Sequence, residues 1–139
     1  MPIETRTLVV KSKQETDIID ITPEVQKLVS QSKIKEGSVL IFVKGSTASV
    51  STIEFEPNLV QDFKDAMERL APSSIKYRHK ETWGDDNGKS HVRATLMGPS
   101  LTVPFKDRKL LLGTWQQIVI LDFDVPARSR ELVVQIVGE

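Results

Sequence analysis

Three strand-like stretches follow one another toward the C-terminus, at residues 100–105, 114–123 and 131–137, with no helical pattern between them. Strands joined without a crossover pair antiparallel, because a parallel neighbour needs a connection of a dozen or more residues, usually a helix. The helical patterns sit earlier in the chain. The regular strand–helix alternation of a doubly wound sheet is therefore missing, and the order predicts an α+β chain with a mostly antiparallel sheet.

The earlier elements fit this order. Residues 3–10, rich in β-branched types, read as a strand. Thr22-Pro23 opens a helix, with Thr22 placed to cap it and Pro23 at a position whose N–H has no helical partner anyway. Residues 38–44 are almost continuously apolar and predict a strand covered on both faces. Gly45-Ser46-Thr47-Ala48 breaks that run, and 48–55 reads as the returning strand. From Pro57, the stripe Leu59, Phe63, Ala66, Met67 and Leu70 marks an amphipathic helix. A short helix over 90–97 leads to Gly98. The sum is six or seven strands and two or three helices in one domain, residues 1–139.

Composition narrows the function classes. Lys plus Arg is 19 and Asp plus Glu is 19, so no overall positive charge favours nucleic acid or an anionic membrane surface. With five Phe, two Trp and one Tyr there is no basic–aromatic stripe of the kind that binds single strands. The absence of Cys removes disulfides, thiolate metal sites and thiol nucleophiles. Apolar runs fall far short of the ~20 residues of a membrane helix. The first residues lack the basic-then-apolar order of a signal peptide, and the expected location is the cytoplasm.

Residues 79–91 form the one long segment without a packing pattern, and such loops often carry function. His79 and His91 bracket it, with Glu81, Asp85 and Asp86 between them. Imidazole and carboxylate suit a zinc-like divalent ion, although twelve positions is no compact metal spacing. The same residues equally suit ordinary surface hydrogen bonding. Glu54, at a strand end, reads as a general base, a metal ligand or a solvated acid. Ser46 and Thr47 lie in a hydroxyl-rich turn that either orients a phosphate or is an ordinary β-turn, and Gly84–Ser90 is not a P-loop, since it is one residue short and follows no apolar strand. Arg128 and Arg130 share one side of an extended segment and either clamp an anion or pair with Asp122, Asp124 or Glu131. Trp115 reads as a core residue borne by a strand.

Several segments together resemble the YjbQ-like family, whose members are described as secondary thiamine-phosphate synthases. They are Gly45-Ser46-Thr47-Ala48-Ser49 with Glu54; Tyr77-Arg78-His79; Asp85-Asp86-Asn87 with Ser90-His91; Met97-Gly98-Pro99-Ser100 with Pro104; Leu112-Gly113-Thr114-Trp115-Gln116; and Arg128-Ser129-Arg130 with Gly138-Glu139. The resemblance implies an antiparallel β-sandwich, a homotrimer with sites near subunit boundaries, and a polar pocket holding a divalent metal, zinc or magnesium. It implies His79 and His91 as metal ligands, Glu54, Asp86 and His91 in the chemistry, and Ser46, Thr47, Arg128 and Arg130 on a phosphorylated substrate. Family members commonly carry His at the start of the hydroxyl-rich turn, where this chain has Gly45, and many carry a His-Ala-His pair where it has one His. Two imidazoles remain, with a carboxylate from Asp85, Asp86 or Glu54 to complete a shell. The departure leaves two readings open: thiamine-phosphate-synthase-like transfer, or a non-catalytic or vestigial trimer that binds a small anionic ligand.

Overall fold

The computed structural model describes residues 1–139. In chain order the elements are β1 (Ile3–Lys11), β2 (Asp17–Asp20), α1 (Thr22–Ser30), β3 (Glu36–Val43), β4 (Ala48–Ile53), α2 (Pro57–Leu70), α3 (His79–Trp83), α4 (Gly88–Met97), β5 (Ser100–Lys106), β6 (Lys109–Leu110), β7 (Gln117–Asp122) and β8 (Ser129–Gly138). One sheet has five strands in the order β1-β8-β3-β5-β6 and the other three in the order β2-β7-β4. Every neighbouring pair is antiparallel. The α+β class and the sandwich both hold.

The main core fills the space between the two sheets. Leu132, Val134 and Ile136 of β8 alternate inward with Val39, Ile41 and Val43 of β3, and meet Val50 of β4 and Ile118 and Ile120 of β7. Val25 and Val29 of α1 close one end of this core. A second, smaller core lies on the other face of the three-stranded sheet, where Val119, Leu121 and Phe123 pack against Met67 and Phe63 of α2 and Ala94 of α4. The layers run five-stranded sheet, three-stranded sheet, helices.

The strand covered on both faces is therefore β7, whose residues Ile118–Asp122 are all buried. It is not β3. There Val39, Ile41 and Val43 point inward, Leu40 is half-buried and Phe42 is 41% exposed, because no element of the chain covers the outer face of the larger sheet. Three local expectations also change. β2 was hidden in what reads as the approach to α1. Thr22 does not cap that helix: its hydroxyl accepts from the Ile118 N–H at 2.7 Å and ties α1 to β7. Leu70 completes the stripe of α2 in sequence but is exposed, whereas Glu56 caps the same helix by accepting from the N–H groups of Asn58 and Leu59.

Ile41→Ala should lower stability by about 2–5 kcal/mol, as expected for a fully buried branched side chain. Phe42→Ser, one residue on, should change the stability of the isolated chain by no more than about 0.5 kcal/mol. Urea unfolding under conditions that keep single chains apart checks the contrast.

Candidate functional site

Four segments meet at one end of the sandwich: the β3–β4 turn, the α3–α4 junction, the end of β7 and the start of β8. The Phe123 N–H donates to the Thr47 carbonyl at 2.9 Å, which fastens the turn to the strand end. Asp122 and Asp124 follow the apolar run of β7 and are buried with it. A carboxylate there costs free energy unless it is paired.

Arg130 supplies the pairing. Its side chain is 7% exposed and grips Asp122 with two nitrogens, Nε to Oδ2 and Nη2 to Oδ1, each at 2.8 Å. Nη2 also donates to Thr47 Oγ1 at 2.6 Å, and that hydroxyl donates onward to Asp124 Oδ2 at 2.8 Å. Asn87 Nδ2 and Arg128 Nε complete the set on Asp124, at 2.9 and 2.8 Å. Asn87 Oδ1 in turn accepts from Ser90 Oγ and the Val125 N–H. Burial pushes the Asp124 carboxyl up, but the donors from Thr47, Asn87 and Arg128 outweigh it and hold it below the usual carboxylate range.

The two histidine rings do come together. Their centroids are 4.6 Å apart with planes tilted by 46°. His91 Nδ1 lies 3.1 Å from the Ser46 carbonyl oxygen. A carbonyl only accepts, so Nδ1 carries the proton and, in the neutral ring, Nε2 holds the lone pair. His79 Nδ1 lies 3.2 Å from Asp85 Oδ1 but misses hydrogen-bond alignment, and this buried nitrogen is unpaired.

A cleft of about 280 Å³ opens over this network, lined by Gly45, Ser46, Thr47, Asp85, Asn87, His91, Asp124, Arg128 and Arg130 and by no hydrophobic residue. It holds most of the expected site residues. The Ser46 side chain is exposed there, whereas the Thr47 hydroxyl is buried and spent on Arg130 and Asp124. Asp86 is not among the lining residues. It is solvent-exposed, pairs with Lys80 and borders a neighbouring cleft, while Asp85 faces both clefts. Glu54 is also elsewhere. β4 leaves the cleft at Ala48 and carries Glu54 past its far end, roughly 20 Å of strand away. There it borders a separate cleft with Asp20 and Trp115, and Trp115 is 70% exposed rather than in the core.

The metal implied by the resemblance needs three or four donors around one point, at about 2.0–2.2 Å for imidazole and carboxylate. No three His, Asp or Glu side chains of the chain gather in that way. His79, His91 and Asp85 are neighbours but do not form a complete ligand set.

Asp122, Asp124 and Asn87 carry the site's architecture, yet in the sequence the two aspartates read only as counter-ions and Asn87 only as part of a segment. The available signal was two acids, two positions apart, closing the most apolar strand of the chain.

Residues 6–139 match the family described as UPF0047 protein YjbQ-like. The chain is 38% identical over 128 residues to a UPF0047 protein of Archaeoglobus fulgidus, covering 92% of this chain and 97% of that protein. It is 35% identical over 131 residues to one of Methanocaldococcus jannaschii, covering 94% and 91%. A YbjQ-like protein of unknown function from Sulfolobus solfataricus superimposes with a TM-score of 0.94 at 33% identity, covering 99% of both chains. A hypothetical protein from Aeropyrum pernix gives 0.90 at 29% identity, covering 98% of this chain and 99% of that one. These define an α+β sandwich class. The chain belongs to the YjbQ-like, UPF0047 family.

Asp124→Asn should cost about 1.5–3 kcal/mol at pH 7, the range for hydrogen bonds to a charged group. A depressed folded pKa contributes stability above the unfolded value near 3.9, which is lost as pH falls through the folded value. The gap between wild type and variant should therefore close below about pH 4, read from urea midpoints at pH 7 and pH 3.

Proposed function

We propose that the cleft binds a small phosphorylated or otherwise anionic metabolite. The observation that carries this reading is the pair of guanidinium groups at an entirely non-hydrophobic cleft. Arg128 uses only Nε within the chain and keeps its terminal fork free, and its side chain is half exposed. Planar forks of this kind match phosphate and carboxylate oxygens. His91 adds an acceptor at Nε2 for a ligand hydroxyl or a protonated oxygen. Inorganic phosphate should bind with heat detectable by calorimetry, and Arg128→Gln should weaken it about ten-fold, the worth of one charge-assisted contact. Equal binding by wild type and variant would remove Arg128 from the site.

The resemblance noted above raises a second reading, thiamine-phosphate-synthase-like transfer, for which the guanidinium groups and His91 of the cleft would supply the contacts. In that reaction the thiazole nitrogen forms a bond to the pyrimidine methylene carbon as the carbon–oxygen bond to the diphosphate breaks. The guanidinium groups would take the departing charge. His91, with Nδ1–H on the Ser46 carbonyl, would donate from Nε2 to the leaving oxygen only as the imidazolium, after Nε2 has taken up a second proton. Glu54 and Asp86 have no part in this arrangement within one chain. A zinc or magnesium ion at His79 and His91 would have to draw further donors from outside the set described above. Purified protein given the two substrates should release diphosphate, and His91→Ala should release less. Equal yields from both would take His91 out of the chemistry.

The homotrimer belongs to this proposal as well. The outer face of the larger sheet, with Leu40, Phe42 and Val133 adjacent across paired strands, supports it by offering an apolar surface for a second copy of the chain. The proposal keeps the cytoplasm as location, and no helix of the chain is long and apolar enough to cross a membrane.

A further inference from the structure

The geometry points to a metal-independent oxyanion site whose floor is Arg130 Nη1, exposed to the cleft because residue 45 is glycine. This rests on the anion-binding reading above and specifies what does the binding.

Arg130 spends Nε and Nη2 on Asp122 and Thr47, but Nη1 makes no hydrogen bond within the chain and is not sealed off from solvent. The side chain as a whole is 7% exposed, and this unspent nitrogen is its part open to the cleft. Nη1 lies under Gly45. A Cβ built on Gly45 would stand 2.7 Å from it, closer than real Cβ contacts allow. The contact is specific, since the next nearest heavy atom is Cζ of the same guanidinium at 3.8 Å. Gly45 also has φ +139°, a conformation that side chains other than glycine rarely adopt. The guanidinium therefore occupies the room that a side chain at 45 would fill.

Gly45, Ser46 and Arg128 line the same cleft as Arg130. The N–H groups of Gly45 and Ser46 have no acceptor within the chain. The Arg128 fork stands on the same cleft. Successive backbone N–H groups in a turn form an anion-binding concavity, and the unspent guanidinium nitrogens of Arg128 and Arg130 border it, beside the carboxylates of Asp85 and Asp124. Asp122 and Asp124 fix both arginines from behind, so little ordering remains to be done on binding. A tetrahedral oxyanion, such as a phosphate monoester, fits this set of donors. The residues offered to a divalent ion, by contrast, do not form a ligand set. The chain places a fixed guanidinium at the floor of the cleft, and the glycine is what admits it.

The test is calorimetry of the full-length protein with inorganic phosphate, with and without EDTA, and with zinc alone. Wild type should bind phosphate equally well in EDTA. Gly45→Ala should weaken phosphate at least ten-fold, by displacing Nη1. Gly45→His should weaken phosphate and bind zinc at least ten-fold more tightly than wild type, because it adds an imidazole to the cleft that already holds His91. The guanidinium nitrogen resonances of Arg130 in wild type, which need no variant to fold, should shift as phosphate is added. Phosphate binding that vanishes in EDTA and returns with zinc would overturn the proposal, as would unchanged binding by a folded Gly45→Ala or unmoved Arg130 resonances at phosphate saturation. If wild type binds no phosphate in any arm, the anion-binding reading itself falls.

Discussion

The end of the molecule that carries the cleft is organised around one buried charge. Arg130 is a cation sunk between two sheets, and its two-nitrogen grip on Asp122 allows β8 to begin and β7 to end at the same place. Asp122 and Arg130 lie on strands of different sheets, so their pairing joins the two halves of the sandwich at the end of the core, beside Ala48 and Val10 on the neighbouring strands. Replacing such a pair with apolar groups is often neutral, but removing one member leaves the other charged and unpaired. The grip is thus a constraint on geometry more than a reserve of stability. It holds Thr47 and Asp124 in turn, and through them the turn at 45–47 and the α3–α4 junction.

What could be read from the sequence divides along physical lines. β5, β8 and α2 announce themselves because their side chains alternate or recur with the period of the element, and that period is local information. The sequence points to β3 rather than β7 as the strand covered on both faces, because a continuous apolar run does not say what stands on its far side. In β3 that side faces away from the whole chain. β2 is only Asp17–Asp20, too short for any pattern to show. Trp115 looked like core because bulky aromatics usually are, and the turn before β7 turns it outward.

The site was legible in its ingredients and not in its wiring. The sequence suggests a shared cavity for His79 and His91; their rings lie 4.6 Å apart, but only His91 lines the cleft. Arg128 and Arg130 were expected either to clamp an anion or to pair with nearby aspartates. Both arginines pair, and the unspent nitrogens remain on the cleft side. Glu54 was misplaced because sequence proximity to the hydroxyl-rich turn says nothing about strand direction: β4 starts at the cleft and travels away from it. The Thr47 hydroxyl bridges Arg130 and Asp124 across separations of 83 and 77 residues, which no local pattern encodes.

β7 has a further consequence. Four of its five buried residues divide between two cores, Ile118 and Ile120 into the sandwich and Val119 and Leu121 against the helices. It is also hydrogen-bonded to a strand on each edge. Exposing it means opening both cores and both ladders at once, so its amides exchange with solvent only through events close to global unfolding. The aspartates that end this strand are anchored in the slowest-opening part of the chain, and the cleft they support inherits that rigidity.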